Sequence, residues 1–165
     1  MSDVKGYYLL IIYIITAIGG GVVSTESLEF CSEAWVRCLQ DYMTTHLDGL
    51  DLSGVTISFS EELTDPPAHL VHDGEDSAGW HYRVTDGVLI VEAAPLRDAD
   101  RRMVGDYDRV VVLARLRYTD PAIGPLAQAA LDDGTLRYEG DFSLADERVA
   151  AALTGMHDYL ADRTA

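Results

Sequence analysis

The stretch W-H-Y-R-V-T-D-G-V-L-I-V-E, Trp80 to Glu92, decides the fold class. Two runs rich in β-branched and aromatic residues, Trp80 to Thr85 and Val88 to Ala93, flank Asp86-Gly87. An Asp-Gly pair supplies the two positive φ angles that a type I′ hairpin turn requires. Trp80, Tyr82 and Val84 fall on one face, and His81, Arg83 and Thr85 on the other. The hairpin therefore predicts an antiparallel sheet with an aromatic side turned to a core.

Upstream, Val55, Ile57 and Phe59 alternate with Thr56, Ser58 and Ser60, which predicts a strand within Leu52 to Glu62 with one buried face. Before it, Phe30, Ala34, Trp35, Cys38, Leu39, Tyr42 and Met43 recur at helical spacing. That helix is expected to start from a cap at Ser24 or Thr25, with Glu26 and Glu29 favouring its N-terminal dipole, and to stop at Asp48-Gly49. Leu63 to Ser77, with two prolines and several acids, reads as an exposed loop.

Downstream, Met103-Val104 predicts a short edge strand, and Asp106 can cap a helix through Tyr107, Val110, Val111, Leu113 and Leu116. Leu126 to Leu131 is a short alanine-rich helix, and Thr135 to Gly140 a further strand after Asp133-Gly134. Ser143 is expected to cap a last helix whose stripe is Val149, Leu153, Met156 and Leu160. No internal repeat or low-complexity linker interrupts this order. Residues 25–165 thus read as a single α+β domain, with 1–24 as a separate apolar segment.

The chain has 165 residues, nearly half of them hydrophobic, enough for a real core. Its formal net charge of -16 would repel a nucleic-acid backbone and disfavours an anionic membrane surface. The charge suits solubility or, as a second use, recognition of a basic protein partner. Cys31 and Cys38 are the two cysteines. On one helix they would stand about 10 Å apart along the axis, beyond disulfide reach. Free thiols fit a reducing, cytoplasmic compartment.

Residues 7–23, Y-Y-L-L-I-I-Y-I-I-T-A-I-G-G-G-V-V, carry no charge. A short transmembrane anchor, an export signal, a strand-turn and a stretch foreign to the fold are all compatible with this pattern. Membrane association or export would follow only from the first two. The triple glycine Gly19-Gly20-Gly21 has no following lysine-serine pair and reads as a turn, not a phosphate cradle.

GxSxG, P-loop, GxGxxG and HExxH patterns are all missing, so no catalytic constellation is expected and no cofactor is called for. His69-x-x-His72 has ligand-like spacing but lies in a proline-containing loop, and no metal site is predicted there. His157 and Asp158 are expected to be polar residues on the surface beside a core stripe, since neighbouring helical residues point apart. An enzyme acting on a lipid-like substrate would have to take His69, His72 or His81 as its base.

Three segments carry a family resemblance: WHYRVTDGVLIVE, DADRRMVGDYDRVVVLARL (Asp98 to Leu116) and LDDGTLRYEGDFSLADERVAAAL (Leu131 to Leu153). The last is the most distinctive, through Gly134, Gly140, Asp141 and Ala145. Together with the element order, Gly79 to about Leu160 resembles the sterol-carrier-protein (type 2) lipid-binding domain. Tyr118 to Gln128 is longer and more proline-rich than the family pattern, and the N-terminal run has no counterpart.

The resemblance implies a mostly antiparallel sheet of about five strands covered by helices. It also implies a tunnel between them for sterols, fatty acyl chains or other apolar molecules. The periodicity nominates Phe59, Trp80, Tyr82, Val111, Leu136, Leu153 and Met156 as its lining. The same seven residues would equally make a filled core, in which case the chain would serve as an accessory or interaction subunit.

Overall fold

A computed structural model describes residues 27–72 and 74–165. The N-terminal apolar run, the triple glycine and the expected caps Ser24 and Thr25 lie outside the described residues.

The hairpin forms as its sequence dictates. Strands β1 (Thr56–Thr64), β2 (Ala78–Thr85) and β3 (Val88–Glu92) are antiparallel neighbours, and Asp86 (φ 47°) and Gly87 (φ 83°) make the tight turn. Strand β4 (Arg101–Asp106) pairs parallel with β1, and β5 (Leu136–Gly140) closes the sheet antiparallel to β4. The order is β3-β2-β1-β4-β5. Met103-Val104 is therefore internal, not the expected edge strand. The connection from β3 crosses the sheet and brings β4 in beside β1, and β5 takes the edge.

Helix α1 (Glu33–Leu47) starts later than the apolar spacing suggested. Cys31 adopts a left-handed backbone (φ 65°), which breaks any helix through Phe30, and the Ser32 side chain caps the first turn by accepting from Trp35 N–H. Cys31 and Cys38 thus do not share a helix, though both remain free thiols. Phe30 is nonetheless fully buried. Helices α2 (Tyr107–Ala114), capped by Asp106, and α3 (Ile123–Asp132) follow β4 and pack on β4 and β5.

The expected final helix is two. A 3-10 turn at Phe142–Leu144 takes Ser143, Asp146 caps α4 (Glu147–Ala152), and Gly155 (φ 88°) separates α4 from α5 (Met156–Ala161). Tyr42 Oη donates to the Thr154 carbonyl at 3.0 Å and holds this break against α1. Tyr42→Phe removes that bond alone, and urea unfolding should show a loss of about 1 kcal/mol. Among the described residues, no helix is long and apolar enough to cross a membrane.

One side of the sheet faces the helices and carries Ile57, Phe59, Glu61 and Leu63 of β1 and Trp80, Tyr82 and Val84 of β2. The outer side is also covered, contrary to the one-faced burial expected of β1: Ser58, Ser60 and Glu62 are buried. Residues 94–100 strap across it. Leu96 N–H donates to Ser60 Oγ (2.8 Å), and Asp100 accepts from both Ser58 N–H and Ser58 Oγ (2.8 Å each). Leu63 and Thr64 extend β1 into the expected loop, whose Leu70 and Ser77 are buried.

Candidate functional site

The helix-facing side of the sheet holds a run of aromatic rings. The β1–β2 register sets Phe59 opposite Tyr82 and Glu61 opposite Trp80. Ring centroids then step from Tyr82 to Phe59 (6.0 Å), Trp80 (5.5 Å), Trp35 of α1 (6.1 Å), Phe30 (5.1 Å) and Tyr107 (6.0 Å). Contacts of this kind add to the area they bury.

Two charged side chains interrupt this apolar surface. Glu61 is buried, with its Oε2 accepting from Trp80 Nε1–H at 2.6 Å. Burial pushes its carboxyl up to about 7, against a smaller opposing effect of the Trp80 bond. The nearby Cys31 thiol is pushed up as well, chiefly by burial and then by the Glu61 charge, so it is not a reactive thiolate. Arg101 lies on the same side, since β4 aligns it with Phe59. Its Nη2 reaches past that ring to donate to Tyr82 Oη at 2.9 Å, while its Nε–H is buried without an acceptor. Burial raises the Tyr82 hydroxyl pKa, and the Arg101 charge partly offsets that.

Helical cover over this side is uneven. At one end Leu63 is fully buried, and a Cβ on Gly105 would overlap Val110 of α2, so that helix is seated directly on β4. Midway along β1, between the buried Ile57 and Leu63, Phe59 stays partly exposed although β1 is the central strand, as do its neighbours Arg101 and Met103, and Tyr138 of β5 is 37 % exposed. On this side the cover is thus less complete over Phe59, Arg101 and Met103 than over Leu63.

Of the seven residues nominated from sequence, Phe59, Trp80 and Tyr82 are brought together as one aromatic strip. Val111 and Leu136 are buried at the end closed by α2. Leu153 and Met156 flank the α4–α5 break, half-buried and packed on the same core. Phe30, Trp35, Glu61 and Arg101 share this side of the sheet but were not among the seven. Glu61 had a signal: it falls in phase with Ile57, Phe59 and Leu63, where a solvated strand would carry its acids out of phase.

The histidines do not assemble. His81 is buried on the outer side, where its Nδ1 is 2.7 Å from the Ala94 carbonyl oxygen. His69 pairs with Glu29 at 2.8 Å beside a cleft of about 240 Å³ that also reaches His72, Cys31 and Glu33. Among the described residues, no group of three His, Cys, Asp or Glu side chains is placed to hold a metal ion. His157 and Asp158 are structural and not surface residues: the His157 ring stacks on Tyr118, its Nε2 lies 2.7 Å from the Leu116 carbonyl oxygen, and Asp158 accepts from Tyr118 N–H.

The sequence matches no family model and no curated protein. Solved structures do match. A crystal structure of sterol carrier protein 2 superposes with a TM-score of 0.50 at 15 % identity, over 82 % of this chain and all of that one. This chain has the sterol-carrier-protein-2 fold. Two further solution structures align at lower TM-scores. One is a Thermus thermophilus protein described as possibly a sterol carrier protein (0.47, 14 % identity, 88 % of this chain and 96 % of that one). The other is the sterol carrier protein domain 2 of Helicoverpa armigera (0.44, 14 % identity, 90 % and 98 %). In the sterol-carrier fold seen here, the partly exposed centre of the sheet lies on the side that the helices cover.

Proposed function

We propose that this chain binds an apolar small molecule between the helix-facing side of its sheet and the α4–α5 segment, without chemistry on it. The observation that carries the reading is Phe59: a large ring on the central strand, on the covered side, that is only partly buried. A filled core buries such a position. Leu153 and Met156 would close over Phe59, Trp80 and Tyr82, with Val111 and Leu136 as the wall at the closed end. Each Å² of ligand surface removed from water contributes on the order of 25 cal/mol before association costs.

Solvent extraction of the purified protein followed by mass spectrometry tests this directly. A co-purified lipid, or saturable displacement of a fluorescent fatty acid or sterol from the delipidated protein, is expected. An empty extract with no displacement would instead mean a filled core and a scaffolding role.

A further inference from the structure

We infer that β3 is a docking edge for a second copy of this chain. The two β3 strands pair antiparallel about a two-fold axis at Ile90 and join both sheets into one. The inference is independent of the binding reading above.

The sheet ends on β3 and β5, and the two edges differ. β5 carries Arg137 and Glu139, which pair with each other at 2.7 Å, and finishes on the left-handed Gly140. Charges and bends of this kind keep an edge from adding strands. β3 has neither. Val88 to Val91 is uncharged in a chain whose residues are 24 % charged, holds no proline, and pairs with β2 without a bulge. Val88 and Ile90 are 61 % and 41 % exposed on the outer side.

The hydrogen-bond phase decides what this edge accepts. Asp86 N–H donates to the Val55 carbonyl, so even-numbered residues of β2 bond toward β1 and odd-numbered ones toward β3. Val88, Ile90 and Glu92 therefore bond back to β2. The N–H and C=O groups of Leu89 and Val91 point away from the sheet, and among the described residues nothing bonds them. An antiparallel copy centred on Ile90 sets Leu89 against the partner's Val91, and Val91 against the partner's Leu89. All eight outward groups then pair in four hydrogen bonds. A centre on Leu89 would instead draw Gly87, at φ 83°, into the ladder, where the strand geometry is lost.

The side chains agree with that register. On the outer side Ile90 meets the partner's Ile90, and Val88 lies beside the partner's Glu92. Arg83, next to Ile90 on β2, is exposed and has no carboxylate within 4.0 Å among the described residues. Standard strand spacings put its Cα roughly 12 Å from that of the partner's Glu92, within the joint reach of the two side chains. Glu92 otherwise meets only His81, at 3.4 Å. Two Arg83–Glu92 pairs thus cross the axis, while charges more than about 8 Å away are screened at physiological ionic strength. The -16 charge on each copy is therefore offset where the copies touch. An interface of one short strand is small, so the dimer is weak and reversible, with a Kd on the order of 100 µM.

Sedimentation velocity of the full chain over roughly 10 µM to 1 mM tests the pairing. Wild type should pass from monomer to dimer across that range. Ile90→Lys sets two like charges opposite each other at the axis and should raise the Kd at least about tenfold. Leu126→Lys makes the same change at an exposed position of α3 and should leave the dimer as it is. Wild type that stays monomeric throughout would overturn the pairing, whether the edge is then bare or covered by residues 7–23. A dimer that Ile90→Lys leaves intact, or that Leu126→Lys weakens equally, would overturn it too. A second variant needs no loss of association: Ile90→Cys should oxidise in air to a disulfide-linked dimer well ahead of Leu126→Cys, because only the first holds two thiols at bridging distance. Equal rates for the two would overturn the two-fold at Ile90.

Discussion

Replacing Glu61 with glutamine should raise the melting temperature at pH 8 by roughly 5–10 °C, with much less effect at pH 5. A carboxyl whose pKa moves from 4.5 to about 7 on folding costs the folded state about 3 kcal/mol once it is ionised, at about 1.4 kcal/mol per tenfold change. The sign follows from the direction of the shift. Below pH 4.5 the group is neutral in both states and nothing is lost. Between pH 4.5 and about 7 the unfolded chain releases the proton first, so stability falls as pH rises. Above that, both states are ionised and the full cost stands. Glutamine keeps an oxygen to accept from Trp80 Nε1–H and removes the charge, so at pH 5 its advantage should shrink to under about 1 kcal/mol. Thermal unfolding of both proteins at the two pH values checks this; an equal difference at both would mean Glu61 is not desolvated.

A buried acid that costs stability at neutral pH sits beside the proposed cavity, and its neighbours explain why it went unseen. In the sequence Glu61 and Glu62 form an ordinary acidic pair at a strand end. Their fates diverge because successive strand side chains point to opposite faces. Glu62 turns outward to ion pairs with Arg97 and Arg102, while Glu61 turns under the helices to Trp80 alone. Which of two adjacent acids goes inward is set by the alternation that Ile57 and Phe59 begin. Glu61 continues the inward phase of Ile57 and Phe59, and Leu63, read as the start of a loop, completes it.

The elements themselves were legible wherever a local rule governs them: the Asp86-Gly87 turn, the Asp106 cap and the helix stop at Asp48-Gly49 all depend on nearest neighbours. What failed was long-range. The parallel β1–β4 pair joins segments some forty residues apart, and nothing local to Met103-Val104 marks it as internal. The left-handed Cys31 and the break at Gly155 each interrupt a spacing that is otherwise faultlessly helical, so periodicity ran through both. Arg101 was hidden within the charged stretch Arg97 to Arg102, most of which belongs to the outer strap.

That strap supplies the second large effect. Gly79 lies on the outer side of β2, opposite Glu62. A Cβ there would overlap the backbone carbonyl oxygen of Glu61 and stand 3.2 Å from Pro95 Cβ in the strap. A backbone oxygen cannot swing aside as a flexible side chain can, so Gly79→Ala must push β2 from β1 or lift the strap from the sheet. The expected cost is about 3 kcal/mol, at the upper end for overpacking a well-filled site. Gly124→Ala is the control: no atom lies within 4 Å of its Cβ, and its stability should change by less than about 1 kcal/mol. Urea unfolding separates the two, and similar values for both would show that the β1–β2 contact at Gly79 is looser than described. The binding assay adds a consequence peculiar to this site. Phe59, Glu61, Trp80 and Tyr82 are aligned by the β1–β2 register, so the fraction of Gly79→Ala that still folds should also bind the fluorescent fatty acid or sterol more weakly, whereas Gly124→Ala should bind it as wild type does.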